Sequence, residues 1–243
     1  MRFEMSKIKN FVFFLYIANK DHKGLKAWEE ARHILGDFYL DNCNVKVLPY
    51  LMTLSDEVLE SVLVDDPALK EHYDRSFARF SEYFDKNVRL LEKRKGELKK
   101  AWSNFDKSKL EVMYDFYGSE KKEPKVVYLF AGNFHDQGLG YHYHGHAFLF
   151  CSNLGKEGVT RDLRILMHEF CHLIEHNLGV EDKNLKQNIA FCFAPYGYLF
   201  EDLEKIQNKE LYLVVKKAIQ NRKTFKDIES EIVKIYSKKD GTY

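Results

Sequence analysis

An excess of either charge is missing from this chain. Its 38 Lys and Arg are matched by 37 Asp and Glu, a formal net charge of +1 over 243 residues. Bulk electrostatics therefore gives no reason to expect nucleic-acid binding, which calls for a basic face or stripe. Cysteine is also scarce. Cys43, Cys151, Cys171 and Cys192 form no CxxC pair, so neither a zinc knuckle nor a disulfide framework is expected, and reduced thiols in a cytoplasmic protein are. Internal repeats and low-complexity linkers are lacking, as is an apolar run of membrane length. The nearest approach is KIKNFVFFLYIANKDHKG, residues 7–24, whose apolar part runs only from Phe11 to Ala18. That is too short to span a bilayer, and no small-x-small cleavage site follows it. The location changes from cytoplasmic to secreted only if residues 7–18 act as a signal segment. Val, Phe, Tyr and Ile dominate the run, which predicts a buried strand.

What is present is apolar material for a core, 45% of residues with 15% aromatic, and a concentration of histidine. Six of the ten histidines lie between His142 and His176. Helical patterns dominate the first half. Leu25–Tyr39 is amphipathic, SDEVLESVL opens with a serine cap and an early glutamate, and helix formers continue to about Phe116. The charge run Glu92–Lys100 reads as a solvated helix face. The texture changes near Gly118. VVYLFAG, from Val126, predicts a buried strand, and a second strand is expected from about His142 to Cys151. A helix follows from about Thr160 to Asn177, stopped by Gly179, then another from Lys183 to Ala194, broken at Pro195. The tail from Tyr196 to Lys238 is mostly helical in pattern. The expected class is α+β, mostly helical with a small sheet. The expected division is a mainly helical region with an initial strand over 1–118 and a second region over 119–243, the alternative being one continuous domain.

The segment MHEFCHLIEHNLG, residues 167–179, carries the chemistry. On a helical wheel with His168 at the origin, His172 falls near about 40°, His176 near about 80°, Glu169 near about 100° and Glu175 near about 340°. Leu163, Leu166, Phe170, Leu173 and Ile174 take the opposite side. One face is therefore apolar and the other almost wholly imidazole and carboxylate, where an ordinary surface helix would carry lysine and arginine. Histidines at i and i+4 can aim ring nitrogens at one point at zinc's bonding distance. The glutamate after the first histidine sits beside that point, free to take a proton from a water there. The competing reading makes His168 and His172 core-edge residues bonded to a loop, with Glu169 in an ion pair.

His168, Glu169 and His172 match HExxH, and this segment resembles the zincin metallopeptidases. The likeness covers about residues 124–205. In that superfamily an edge strand antiparallel to the substrate precedes the motif helix, and YHYHGHAFLF precedes RILMHEFCH here. The resemblance implies a zincin-like sheet packed on the HExxH helix, a Zn2+ cofactor, Glu169 as general base, and a peptide or protein substrate held along the strand at about 142–151. It does not extend to the metzincin branch, which would need glycine at 175 and histidine at 178, where this chain has Glu175 and Leu178.

A catalytic zinc takes three protein ligands. A gluzincin-like solution draws the third from a following helix, with Glu201 favoured and Glu204 behind it. An aspzincin-like solution would use Glu181 or Asp182. His176 lies about 6 Å further along the axis than His172 and reads as an outer or substrate-facing group. Where gluzincin-like sequences carry a Glu-Gly pair, this chain reads Gln187-Asn188-Ile189-Ala190. That departure supports an alternative, a catalytically inactive zincin-like binding or regulatory module. His142, His144 and His146 alternate along the expected strand and either line a cleft, stabilise an oxyanion or bind a second metal, or form a solvent-facing row. Tyr196 and Tyr198 are candidates for hydrogen bonding to a tetrahedral intermediate, or for packing. Cys171 is expected to be a small buried hydrophobe. The expected partner is thus a peptide or protein substrate, with no nucleic acid and no membrane; the residues leave the oligomeric state open.

Overall fold

The computed structural model describes residues 1–19, 26–36, 42–120, 125–131, 141–143, 146–151, 158–175 and 180–240. Along the chain run β1 (Arg2–Glu4), α1 (Lys7–Asn19), α2 (Lys26–Leu35), α3 (Asn42–Leu51), α4 (Asp56–Asp65), α5 (Pro67–Asn104) and α6 (Lys107–Tyr117). There follow β2 (Val126–Ala131), β3 (Tyr141–Tyr143), β4 (His146–Cys151), α7 (Gly158–Ile174), α8 (Lys183–Phe193), α9 (Lys209–Gln220) and α10 (Phe225–Asp240). Among these residues no helix is long and apolar enough to cross a membrane. The chain divides into two compact units. One comprises Met1–Ala101 with Pro124–Asp162, the other Trp102–Glu123 with Leu163–Tyr243. The division is therefore not the contiguous one expected at 118/119. Each unit is assembled from two separate stretches, because the first strand pairs with one more than 120 residues later.

In the first unit α1 is the central element. Every residue from Ile8 to Ala18 is buried, and α1 packs against α2, α3, α4 and β2. The strand expected over Phe11–Ala18 is thus a helix. Its apolar side chains go all the way round, so no 3.6-residue periodicity was there to be read, as is usual for a helix enclosed on every side. Phe13 stacks on Phe130 with ring centroids 4.3 Å apart. Phe11 meets Phe77 and Phe80, and Phe14 meets Phe80 and Tyr83.

Two polar residues of α1 are buried, and both are satisfied. Asn10 Nδ2 donates to the carbonyls of Ser6 and Leu129, while its Oδ1 accepts from Ala131 N at 2.8 Å. β1 pairs only with Val126–Tyr128, so the Asn10 amide takes up the ladder groups of β2 beyond the end of β1. Lys9 donates its ammonium to the Leu54 carbonyl, pairs with Asp56 at 3.3 Å and lies over the Tyr128 ring. Ser55 caps α4 by accepting from Val58 N.

The sheet order is β1-β2-β4-β3, with β1, β2 and β4 parallel and β3 antiparallel to β4. The single strand expected over His142–Cys151 is instead a pair of strands. His142 pairs with Ala147 and Tyr143 with His146, so His142 and His146 fall on alternate positions and the expected row of three histidines does not form. His144 lies outside the described residues. Gly145, inside the run, was the sign of interruption. β4 has β2 along its whole length on one side and β3 against His146–Phe148 on the other, so in that half the main-chain groups expected to pair with a peptide are already occupied.

The second unit is helical. Asp106 caps α6 through Ser108 N, and Gly118 closes it in the left-handed conformation at φ 62°. Phe116, Tyr117, Phe193 and Phe225 form an aromatic cluster that joins α6, α8 and α10. At coarse level the class is α+β, mostly helical with a small sheet, as expected.

Candidate metal centre

α7 buries Leu163, Leu166, Met167, Phe170, Cys171 and Ile174. Phe170 sets its edge against Trp102, and the Cys171 thiol faces Met113 Sδ at 3.5 Å. Burial first, then Glu175 and Glu169, hold that thiol well above its ordinary pKa, consistent with an inert core residue. With this face fixed, His168 and His172 are carried toward α8.

The His168 ring stacks on Phe191, centroids 4.9 Å apart, and its Nδ1 donates to the Ala194 carbonyl at 2.9 Å. A carbonyl only accepts, so the neutral ring keeps its proton on Nδ1 and its lone pair on Nε2. His172 Nδ1 lies 2.9 Å from Glu175 Oε2, which assigns that ring the same tautomer. The two Nε2 atoms face one another at 3.1 Å. Two nitrogens bound tetrahedrally to one zinc stand about 3.3 Å apart. Oxygen acceptors behind both rings, with both lone pairs turned inward, are the outer support that metal-binding histidines use. By its donor chemistry the pair fits a divalent metal.

Burial, and then His172, depress the pKa of His168 to about 4, against the opposing hydrogen bonds of Ala194 and Gln187. For His172 burial also acts downward, but Glu175 and Glu169 outweigh it and the net shift is upward. A depressed histidine contributes stability that is complete above its unfolded pKa near 6.5 and is lost as pH falls through about 4. Chelator-treated protein is therefore expected to lose about 3 kcal/mol through His168 as pH drops across that window. Denaturant unfolding at pH 7 and pH 4 measures it. The loss should be smaller in His168→Gln; an equal loss there would remove His168 as its source.

The carboxylates proposed as third ligands do not join the pair. Glu201 is exposed, at φ 54°, in a turn where a helix was expected. The reason lies in the end of α8. Tyr198 N and Leu199 N donate back to the carbonyls of Cys192 and Phe193, capping the helix with the returning chain. Gly197 makes this possible, since a Cβ there would lie 2.0 Å from the Cys192 carbonyl oxygen. Asp182 is the N-cap of α8, accepting from Asn184 N and Leu185 N. Glu181 and Glu204 are exposed. Tyr196 lies under Arg164, and Tyr198 packs on Phe193. His176 lies outside the described residues. Among the described residues no group of three His, Cys, Asp or Glu is placed to hold a metal.

The group that does reach the pair is Gln187, whose Nε2 is 3.0 Å from His168 Nε2. In the sequence its position marks a missing acid, and nothing local shows that the side chain itself reaches the histidines. Glu175, just past the end of α7 and three residues past His172, is readable from the wheel as a neighbour. Phe191 carried no signal. In comparison with known proteins, no family model, no curated protein and no solved structure matches this chain.

Proposed function

We propose that this protein is a zinc-dependent hydrolase of peptide bonds, zincin-like in its active-site helix, in which His168 and His172 hold the metal and Glu169 is the general base. The observation that carries the reading is the pair of inward Nε2 atoms 3.1 Å apart, each ring anchored through Nδ1 to an oxygen acceptor. Zinc bound there would supply Lewis acidity and a water acidic enough to be deprotonated near neutral pH. Glu169 follows His168 directly and is only half-buried. Its negative charge reaches His172, so a proton taken from the attacking water would rest on a carboxylate beside the pair. Glu169 would then return that proton to the leaving amine. Glu175 and the Ala194 carbonyl keep the two rings in the required tautomer and orientation.

A second reading, a binding or regulatory module without catalysis, is favoured by one residue: a neutral amide, Gln187, stands at the pair where a carboxylate would be expected.

Zinc uptake by chelator-treated protein tests the first step. Stoichiometric binding is expected for the wild type, with loss of it in His172→Ala. Cleavage of a peptide mixture, followed by mass spectrometry, separates the readings. Zinc with cleavage supports the hydrolase, zinc without cleavage the module, and no uptake by the wild type ends the hydrolase reading and favours a module that works without metal.

A further inference from the structure

We propose that the Gln187 side chain is the third protein donor of the His168–His172 centre, giving it an uncharged His-His-Gln ligand set. The inference rests on the metal-binding reading above. Its basis is a mismatch in the hydrogen bonding of the metal-free site. With Nδ1 of His168 donating to Ala194, the only acceptor left on that ring is the Nε2 lone pair. Gln187 Nε2 lies 3.0 Å from it and His172 Nε2 lies 3.1 Å from it. One lone pair therefore faces two nitrogens and can accept well from only one of them. If the amide donates, the two imidazole lone pairs oppose each other, which is unfavourable in a largely buried site. Either a proton on His172 Nε2 or a metal cation between the rings resolves the conflict. A half-turn of the amide about its terminal bond exchanges Nε2 for Oε1, and three lone pairs then converge.

The placement is built rather than incidental. Gln187 stands in the middle of α8, whose start is capped by Asp182 and whose far end carries Phe191 and Ala194, the two groups that hold His168. One helix thus sets both the ring and the amide. The chemical consequence is weaker retention. A carboxylate would cancel part of the ion's charge, whereas an amide cancels none, so the metal is held less tightly and exchanges more readily with its surroundings.

The test is zinc affinity by competition with a chromophoric chelator, for the wild type, Gln187→Leu and Gln187→Glu. Gln187→Leu is expected to weaken binding roughly tenfold or more, and Gln187→Glu to tighten it by a similar factor. Should the leucine variant fail to fold, Gln187→Ala carries the same expectation. Zinc affinity in the leucine or alanine variant equal to or tighter than wild type overturns the proposal, because the amide is then a plug that competes with the metal. If neither wild type nor Gln187→Glu binds zinc, the histidine pair is not a metal centre and the underlying reading falls with it.

Discussion

Glu169→Gln is expected to leave zinc uptake close to wild type while peptide hydrolysis falls by about 10²–10⁴-fold, the usual contribution of a general base. The substitution is chosen for what it preserves. Glutamine has the size and shape of glutamate, so α7 keeps its packing, and Glu169 belongs to neither of the anchors that hold the rings, Ala194 and Glu175. What it removes is the carboxylate that can receive a proton. The measurement is a pair: metal content of the purified variant, and initial rate of cleavage on whatever peptide the wild type cuts. Hydrolysis retained in Glu169→Gln would remove Glu169 as base. Loss of zinc together with activity would move it from proton transfer to the upkeep of the metal centre.

The elements that sequence patterns revealed are those with one face in the core and one outside it. α7 and α8 fall within a few residues of their expected bounds, because apolar residues recur on one side of α7 and because Pro195 ends the helical pattern of α8. α1 escaped for the opposite reason. It is buried on all sides, so its pattern carries no period, and its aromatic and β-branched residues then favoured a strand. β1 is three residues long and exists only by pairing with β2, a contact no local pattern contains. The antiparallel pairing of β3 with β4 splits a run that reads as one strand, and no local pattern contains that contact.

The centre divides in the same way. His168, Glu169 and His172 are legible because one turn of helix sets their relation. The group beside the pair is not, because Gln187 arrives from another helix, and the return of the chain after Pro195 keeps Glu201 away. The amide bonds made by Tyr198 and Leu199 to the end of α8 leave Glu201 exposed in a turn. Acid-counting along the sequence favoured Glu201; the geometry brings Gln187 instead.

Removing one partner of the Arg94–Asp162 ion pair is expected to cost about 3–5 kcal/mol, the usual cost of leaving a buried charge uncompensated. Both groups belong to the first unit. Arg94 is 3% exposed and Asp162 0%, and Arg94 Nη1 reaches Asp162 Oδ2 at 2.8 Å. Burial pushes the Asp162 carboxyl up to about 7, against the pull of Arg94 and Arg161, so solvation lost by the carboxylate is a large part of the balance. Gly158 belongs to the same arrangement. A Cβ there would come within 2.1–2.5 Å of the Arg94 guanidinium, so glycine at that position makes room for it. In Asp162→Ala the guanidinium stays behind with Glu97, a half-exposed partner at 3.4 Å; in Arg94→Met the carboxyl loses the pull of Arg94, is left with Arg161 at 4.0 Å and is driven further toward its neutral form. The double variant Arg94→Met/Asp162→Leu removes both charges and should be more stable than either single one, since an apolar replacement of a buried pair carries no stranded charge. Denaturant unfolding of the four proteins at pH 7 gives the cycle. Single variants that each cost under about 1 kcal/mol, within the range of exposed pairs, would mean that water reaches this pair and that burial does not set its energy.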